Sequence, residues 1–557
     1  MEAELIKNDD EKDKTDTFED ILHIVGNNGP FQKRFIWIYN FTYALILSMI
    51  YYNILMALAI PKHWCYVPGR ENTNLTLEKW WELTIPVETD SYGQDAFSKC
   101  KHYSSDNKTS TTTCQNGWEY DKTWYETTIV SDNDWVCDRE VYVTQSFVYA
   151  RLGEFAGTLI AGSLGDILGR RFIIVFTILS LVLNRICMLF ISSNYGWFMV
   201  LSVLSSTTVN TGFLASLTIG MEITDAKLRE TVLSAQYIGW SLGVAILSFI
   251  MWIIRRWDYL FLISTVPALC LFIFFRYLIE SPRWLMSRGK IHKAYVQLKR
   301  VADINNKELP DNFLDRLYAM NKKRTKQKNG LLSLVSSWRL FKNTVLLTIC
   351  WSTVLLVLQI LIYNFGNLKG NPFLIFFLLA MAELPVNIFG KLFSKYFGRR
   401  LVQFCAFMCA AISALVVIYY CEDDRPILTL GLVLFVKFFS YLAVYIIDLQ
   451  AMEIFPTNAR QTGTGLCLFI SSAVCCISPY ITYLGSTYDS RYPYVVVFLL
   501  VLIGGISGTF LPETSDIALP ETTEDARVFG KDQSYWNFLN RKSKYEPPKK
   551  KYGQITC

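Results

Sequence analysis

The chain is 557 residues long, 52% apolar and 15% aromatic, with 18% charged residues and a formal net charge of +6. A charged fraction so far below the roughly 25% of soluble domains excludes a soluble enzyme as the default. The positive excess sits in loops between apolar runs, a pattern that membrane topology explains better than nucleic-acid binding.

Residues 1–34 are polar and begin acidic, with no cleavable signal pattern, so the first apolar run must act as the signal anchor. Within them, 17–25 has amphipathic helical spacing, with Asp16 or Thr17 as cap and Gly26 as stop. It predicts a short helix lying along the inner membrane face. Twelve apolar runs follow, at 35–60, 141–165, 172–191, 197–221, 231–254, 258–279, 341–364, 371–394, 401–421, 427–449, 461–486 and 491–511. Each can cross about 30 Å of hydrocarbon as a helix. The predicted fold class is all-α: a polytopic membrane protein of twelve transmembrane helices in two six-helix pseudo-symmetric bundles.

The first bundle covers 35–280 and includes a long loop at 61–140; the second covers 341–511. A linker, 281–340, joins them, and 512–557 forms a tail with a basic end attracted to anionic lipid. Segment 281–330 holds 13 Lys/Arg against 4 Asp/Glu, whereas 61–140 holds 8 against 14. The positive-inside rule therefore places linker, tail and both termini in the cytosol and the loop outside. The loop also carries the sequons at Asn74 and Asn107 and four cysteines, Cys65, Cys100, Cys114 and Cys137, which predict two disulfides among three possible pairings. A further sequon at Asn40 lies inside the first run and is expected to be silent.

Three motifs recur at nearly constant offset. Gly169-Arg170-Arg171 returns as Gly398-Arg399-Arg400, Glu222 with Arg229 as Glu453 with Arg460, and Glu280 as Glu513, at offsets of 229, 231 and 233. Two halves of one architecture are laid head to tail. Asp166, Arg170, Arg171, Glu222, Arg229, Glu280, Arg283, Arg399, Arg400, Glu453, Arg460 and Glu513 all fall at cytosolic turns. There they predict charge networks that hold while the halves touch at their inner ends and break on switching. Ser394 stands where the first half has Asp166, so the gate is expected to lean on the first copy.

This combination resembles the major facilitator superfamily and, within it, the organic cation, anion and zwitterion (carnitine-like) transporters of the solute carriers. The carrying strings are His63-Trp64-Cys65, Gly117-Trp118-Glu119-Tyr120-Asp121, Trp135-Val136-Cys137-Asp138, Glu280-Ser281-Pro282-Arg283-Trp284-Leu285, Glu383-Leu384-Pro385 and Glu453-Ile454-Phe455-Pro456-Thr457. The cysteine-bearing loop separates the resemblance from sugar porters. Two departures are Ile167, where the turn motif usually has a cation, and Ser515-Asp516 after Glu513.

The resemblance implies a cavity lined by Tyr51, Phe213 and Trp240, with Gln359 and Lys437 at polar family positions and Glu383 in a structural element. Ser472 falls where cation carriers of the family often hold aspartate and anion or carnitine carriers arginine, so charge selection must come from elsewhere. Arg151 and Glu154, one turn apart in the second run, form either an intrahelical pair or a two-charged face for a zwitterion. Arg185 and Asp448 are also unusual within apolar runs, and Asp448 is assigned to the cytosolic network.

There is no phosphate-cradling Gly-x-x-x-x-Gly-Lys motif, and the four histidines lie outside the runs without metal-ligand spacing. No enzyme, cofactor, metal site or nucleic-acid partner is expected. The prediction is a non-ATP-driven, multi-pass plasma-membrane carrier of small organic cations or zwitterions, with a coupling ion or counter-solute as partner. The alternatives are an organic-anion exchanger, motivated by Lys437, Arg151 and Arg185, and a transport-inactive receptor or scaffold.

Overall fold

The computed structural model describes residues 18–70, 73–89, 95–104, 110–224, 226–323, 337–420, 425–456, 460–515 and 527. Asn107, most of the tail and the side chains of Asp166 and Arg460 lie outside that description.

Eleven helices among the described residues are long and apolar enough to cross a bilayer: Pro30–Ala57, Arg170–Ile191, Tyr195–Glu222, Thr231–Ile254, Trp257–Tyr277, Trp338–Asn367, Pro372–Phe397, Arg399–Tyr420, Pro426–Ile454, Thr462–Thr487 and Tyr492–Thr509. A twelfth, Val141–Leu168, is 28 residues long, about 42 Å at 1.5 Å per residue. Arg151 and Glu154 lower its hydropathy without shortening it. The helices are referred to below as spans one to twelve in chain order, and the predicted edges move by a few residues only. Span one starts at Pro30, whose missing N–H is harmless at a first helical position. Span eight is broken between Met381 and Val386, because Pro385 cannot donate into the ladder.

Small residues set close helix pairs in the first half. A Cβ on Gly153 would meet the carbonyl oxygen of Val203 at 2.5 Å, and one on Gly157 would meet Thr207, so spans two and four touch backbone to backbone. Apolar side chains gather in one cluster on spans seven to twelve and another on the first half. Spans one and five also reach into the cluster of the second half. The halves meet where span five packs on Pro372–Met381 and where span two packs on span eleven. One membrane face carries the 61–140 loop (the loop face) and the other carries the linker (the linker face).

Two features outside the spans add to the expectations. The N-terminal helix, Phe18–Val25, packs on the linker. Ile21 and Val25 are fully buried against Ile291 and Leu298 of the linker helix Ile291–Ile304. Asn305 fastens this contact by accepting from the Phe31 N–H at 3.0 Å and donating to the Gly26 carbonyl at 2.9 Å.

The loop, in turn, carries short paired strands. His63–Cys65 pairs antiparallel with Trp118–Tyr120, Val87–Thr89 with Asp95–Phe97, and Lys101–Tyr103 with Thr111–Thr113. Strands of three residues are too short for an alternating pattern to show in the sequence. Disulfides join Cys65 to Cys114 and Cys100 to Cys137, resolving the three open pairings. His63 lies beside the second disulfide, whose sulfurs are bonded to each other and so form no metal donor set with it. The Arg255 guanidinium donates to the Trp124 carbonyl at 2.9 Å, and Trp257 Nε1 donates to Asp132 at 2.7 Å, tying the loop to the end of span five and the start of span six. Asn74 is exposed on this loop. Asn40 is buried in span one, where it donates to Gln236 at 2.8 Å.

Candidate transport site

Charged side chains inside a bilayer need partners, because each costs several kcal/mol unpaired. Arg151 and Glu154 form the pair that their spacing predicts, Nη1 to Oε2 at 2.7 Å, with both residues buried. The pair does more than neutralise itself. Arg151 Nε donates to the Tyr363 hydroxyl at 2.8 Å and Nη2 to Gln359 Oε1 at 2.8 Å, both on span seven. Glu154 accepts from the Tyr51 hydroxyl at 2.9 Å and from the Asn210 amide. One ion pair on span two therefore holds spans one and four of its own half and span seven of the other. Tyr51 and Tyr363 also lie within cation–π reach of the guanidinium, at 5.3 and 5.4 Å.

Lys437 Nζ meets Glu383 Oε1 at 2.9 Å, and Lys437 is only 1% exposed. Glu383 Oε2 accepts from the Ser241 hydroxyl of span five at 2.7 Å, so this pair also spans the two halves. Arg185 has no acid partner among the described residues; it donates to the Ile50 carbonyl at 3.2 Å and lies over the Phe261 ring, inside the first half.

An aromatic chain connects these groups. Ring centroids are 5.7 Å apart for Tyr51–Trp240, 5.2 Å for Trp240–Phe213, 6.0 Å for Phe213–Tyr237 and 6.4 Å for Tyr237–Tyr441. All five side chains are partly accessible. The structure thus brings Tyr51, Phe213 and Trp240 together and places Gln359 against Arg151. Ser472 is half-buried on span eleven, next to Ser471, whose hydroxyl lies 3.0 Å from that of Ser352. Sequence reasoning passed over Asn210, Tyr237, Tyr363, Trp351 and Tyr441, since neutral polar and aromatic residues in a span read as packing. Asp448 is placed differently from its assignment. Its carboxylate accepts from Trp351 Nε1 at 3.0 Å and lies 3.4 Å from the Tyr237 hydroxyl, so it belongs to the interior rather than to the turns.

At the linker face the repeated motifs adopt one geometry twice. Gly169 and Gly398 take φ of +109° and +84°, values that side chains resist. Glu280 Oε1 and Oε2 accept from the Arg170 and Arg171 N–H groups at 2.9 and 3.2 Å. Glu513 Oε1 and Oε2 do the same for Arg399 and Arg400, at 2.9 and 3.0 Å. Each carboxylate caps the positive end of a helix dipole. Burial still pushes the Glu280 carboxyl above its ordinary range, against the lowering by these donors and Arg170.

Further contacts also match. Ser281 donates to Glu222 and Thr514 donates to Glu453. Arg399 pairs with Glu453 at 3.0 Å, while Arg400 donates to the Thr509 carbonyl. Arg170 lies over Trp284, Arg171 over Phe275 and Arg283 over Phe18, and Arg229 Nε donates to the Met221 carbonyl at 3.4 Å. Each of these contacts joins groups on one side of the molecule's division, not across it. Among the described residues, hydrogen bonds between the halves run through Arg151, Glu383 and the Tyr237–Asp448 pair.

A duplicated twelve-helix bundle with a polar, aromatic-lined interior is the architecture of a secondary transporter, and the comparisons agree. The sequence profile of the family described as sugar (and other) transporters matches residues 92–526. The chain belongs to that family, within the major facilitator superfamily. Among relatives, the carcinine transporter of Drosophila melanogaster is 28% identical over 553 residues, 94% of this chain and 81% of the relative. The beta-alanine transporter of the same organism is 28% identical, over 92% and 89%. Organic cation/carnitine transporter 2 of Mus musculus is 27% identical, over 91% and 93%. The inward-open xylose transporter XylE of E. coli shares the fold with a TM-score of 0.57 at 14% identity, covering 88% of this chain and all of that one.

Proposed function

We propose that this protein is a plasma-membrane carrier that moves small organic cations or zwitterions, carnitine-like or amine-derived, by alternating access. The observation that carries the reading is the state of its interior cations. Lys437 and Arg151 are matched by Glu383 and Glu154, so neither stands free to attract an anion, and Arg185, without an acid partner among the described residues, is buried inside the first half over Phe261. Aromatic faces line the remaining space, and they favour ammonium groups by about 0.5–2 kcal/mol each. The relatives' names point the same way, since they include organic cation/carnitine, carcinine and beta-alanine transporters.

In this reading the 61–140 loop is extracellular and the linker and termini are cytosolic. Tyr51, Phe213, Trp240, Gln359 and Ser472 border the substrate path. The Arg151–Glu154 and Lys437–Glu383 pairs act as latches between bundles 35–280 and 341–511. Asp166, Glu222, Arg229, Glu280, Arg283, Glu453, Arg460, Glu513 and the two Arg-Arg pairs form the cytosolic gate, whose half-to-half contacts arise only when the inner ends close. Solute gradients, counter-solute or membrane potential supply the driving force, at roughly 2.3 kcal/mol per charge per 100 mV.

The test is uptake of labelled tetraethylammonium, carnitine and a small dicarboxylate into cells expressing the protein, each with and without sodium. Saturable uptake of either of the first two supports the reading. Preference for the dicarboxylate sinks it, and absence of saturable flux with retained ligand binding points to a receptor.

A further inference from the structure

Among the described residues of the spans, Arg185, packed inside the first half, and Asp448, which lies where the halves meet, lack an ion-pair partner. Arg151 has Glu154 and Lys437 has Glu383. Asp448 has only neutral donors, the Trp351 indole N–H at 3.0 Å and the Tyr237 hydroxyl at 3.4 Å. No lysine or arginine among the described residues forms an ion pair with it. It sits on span ten six residues from Ile454, about 9 Å in from the helix end. Its side chain is partly accessible, although span five approaches it from the other half and span seven from its own.

A carboxylate held in low dielectric without a counter-charge lacks a cation. The surrounding rings define which kind. Trp351 and Tyr237 touch the carboxylate, Tyr441 lies edge-on to Tyr237, and Phe213 leads from Tyr237 to Trp240. A carboxylate set among aromatic side chains, which meet it through the Trp351 N–H and the Tyr237 hydroxyl, suits an organic ammonium group better than a hydrated inorganic ion, because the neighbouring rings can contact an organic cation but offer few oxygen ligands.

We infer that Asp448 is the charge-selecting residue for the ammonium end of the substrate, taking the role that Ser472 cannot fill. The inference rests on the proposed cation transport and adds the residue that recognises the cation. The site lies on span ten rather than span eleven, and Tyr237 makes it sensitive to the approach of the halves. A bound ammonium group draws span five and span ten toward one charge.

The experiment compares wild type with Asp448→Asn and Asp448→Glu for tetraethylammonium uptake, with surface amount measured by biotinylation and sodium present or replaced. Thermal unfolding of each purified protein with and without tetraethylammonium provides a second readout. The expected result is a KM at least tenfold higher for Asp448→Asn at similar surface amount and similar maximal rate, with the stabilisation by tetraethylammonium lost. Asp448→Glu should recover most of both. A KM for Asp448→Asn within twofold of wild type overturns the inference, as does a variant that loses only sodium dependence, which would make Asp448 an ion-coupling group. Failure of wild type to transport or bind any ammonium probe overturns the parent reading instead.

Discussion

Glu513 accepts hydrogen bonds from the backbone N–H groups of Arg399 and Arg400, and 233 residues earlier Glu280 does so for Arg170 and Arg171. The repeat legible in the sequence is thus a repeat of one capped turn, in which a carboxylate closes the start of the third helix of each half. A Cβ on Gly398 would meet Glu513 Oε2 at 2.8 Å, and one on Gly169 would overlap Glu280 more severely.

Replacing either glycine with alanine should therefore displace the cap as well as strain the backbone. Left-handed backbone costs roughly 1–2 kcal/mol and loss of a cap about 1 kcal/mol more. Gly169→Ala should lower the unfolding temperature of the purified protein more than Gly398→Ala, by several degrees in each case. Equal or negligible shifts in a fluorescence-monitored melt would show that the carboxylates do not depend on these turns.

Much of the architecture was readable because it rests on long signals. Helices of 18 residues or more announce themselves by hydropathy, and the offsets of Glu280 and Glu513 expose the duplication. The Arg151–Glu154 pair was one of the two readings that their spacing allowed. What could not be read were contacts that depend on how helices rotate. Glu383 and Lys437 lie 54 positions apart, and nothing local says that they pair. Asp448 lies five residues from Glu453 and looked like a member of the same cytosolic cluster, yet it faces Trp351 instead. The loop disulfides were undetermined for the same reason, since four cysteines give three pairings at equal plausibility.

Breaking the buried Lys437–Glu383 pair on one side should be worse than removing both charges. Lys437→Met leaves Glu383 charged, held by Ser241 alone, at a cost of about 3–5 kcal/mol. The double variant Lys437→Met with Glu383→Gln should recover a large part of the surface amount and melting temperature. Additive losses across this cycle would mean that the two residues do not act as a pair.

The Arg151–Glu154 pair carries a different expectation, because its partners reach across the halves. Tyr363→Phe removes one bond to Arg151 without disturbing the ion pair. It should weaken the contact by about 0.5–1.5 kcal/mol and raise labelling of a cysteine introduced at Gln359 from the loop face. Unchanged accessibility would show that this bond does not hold the halves together.

The two disulfides close segments of 49 and 37 residues, each worth about 4 kcal/mol in the chain-entropy account. Double serine replacement of Cys100 and Cys137 should unfold the loop and reduce delivery to the cell surface. The spans, which have their own cores, should stay folded. Circular dichroism of the purified variant should keep its helical signal; a collapse of that signal would mean that the loop supports the bundle.

Acid should loosen the same loop through His63. Its Nδ1 lies 3.0 Å from the Pro61 carbonyl, to which it donates, and burial holds the ring below its ordinary value of 6.5. A histidine depressed in the fold binds fewer protons there than in the unfolded chain, so stability rises with pH across the interval between the two values. Its contribution is intact above about pH 6.5 and is lost as pH falls through the folded value. Limited proteolysis of the loop should accelerate between pH 7.5 and roughly pH 5, and His63→Phe should flatten that dependence. The Cys100–Cys137 disulfide beside the ring stays closed throughout, so the change should reverse on return to neutral pH. Acceleration that persists unchanged in His63→Phe would assign the acid sensitivity to another group of the loop.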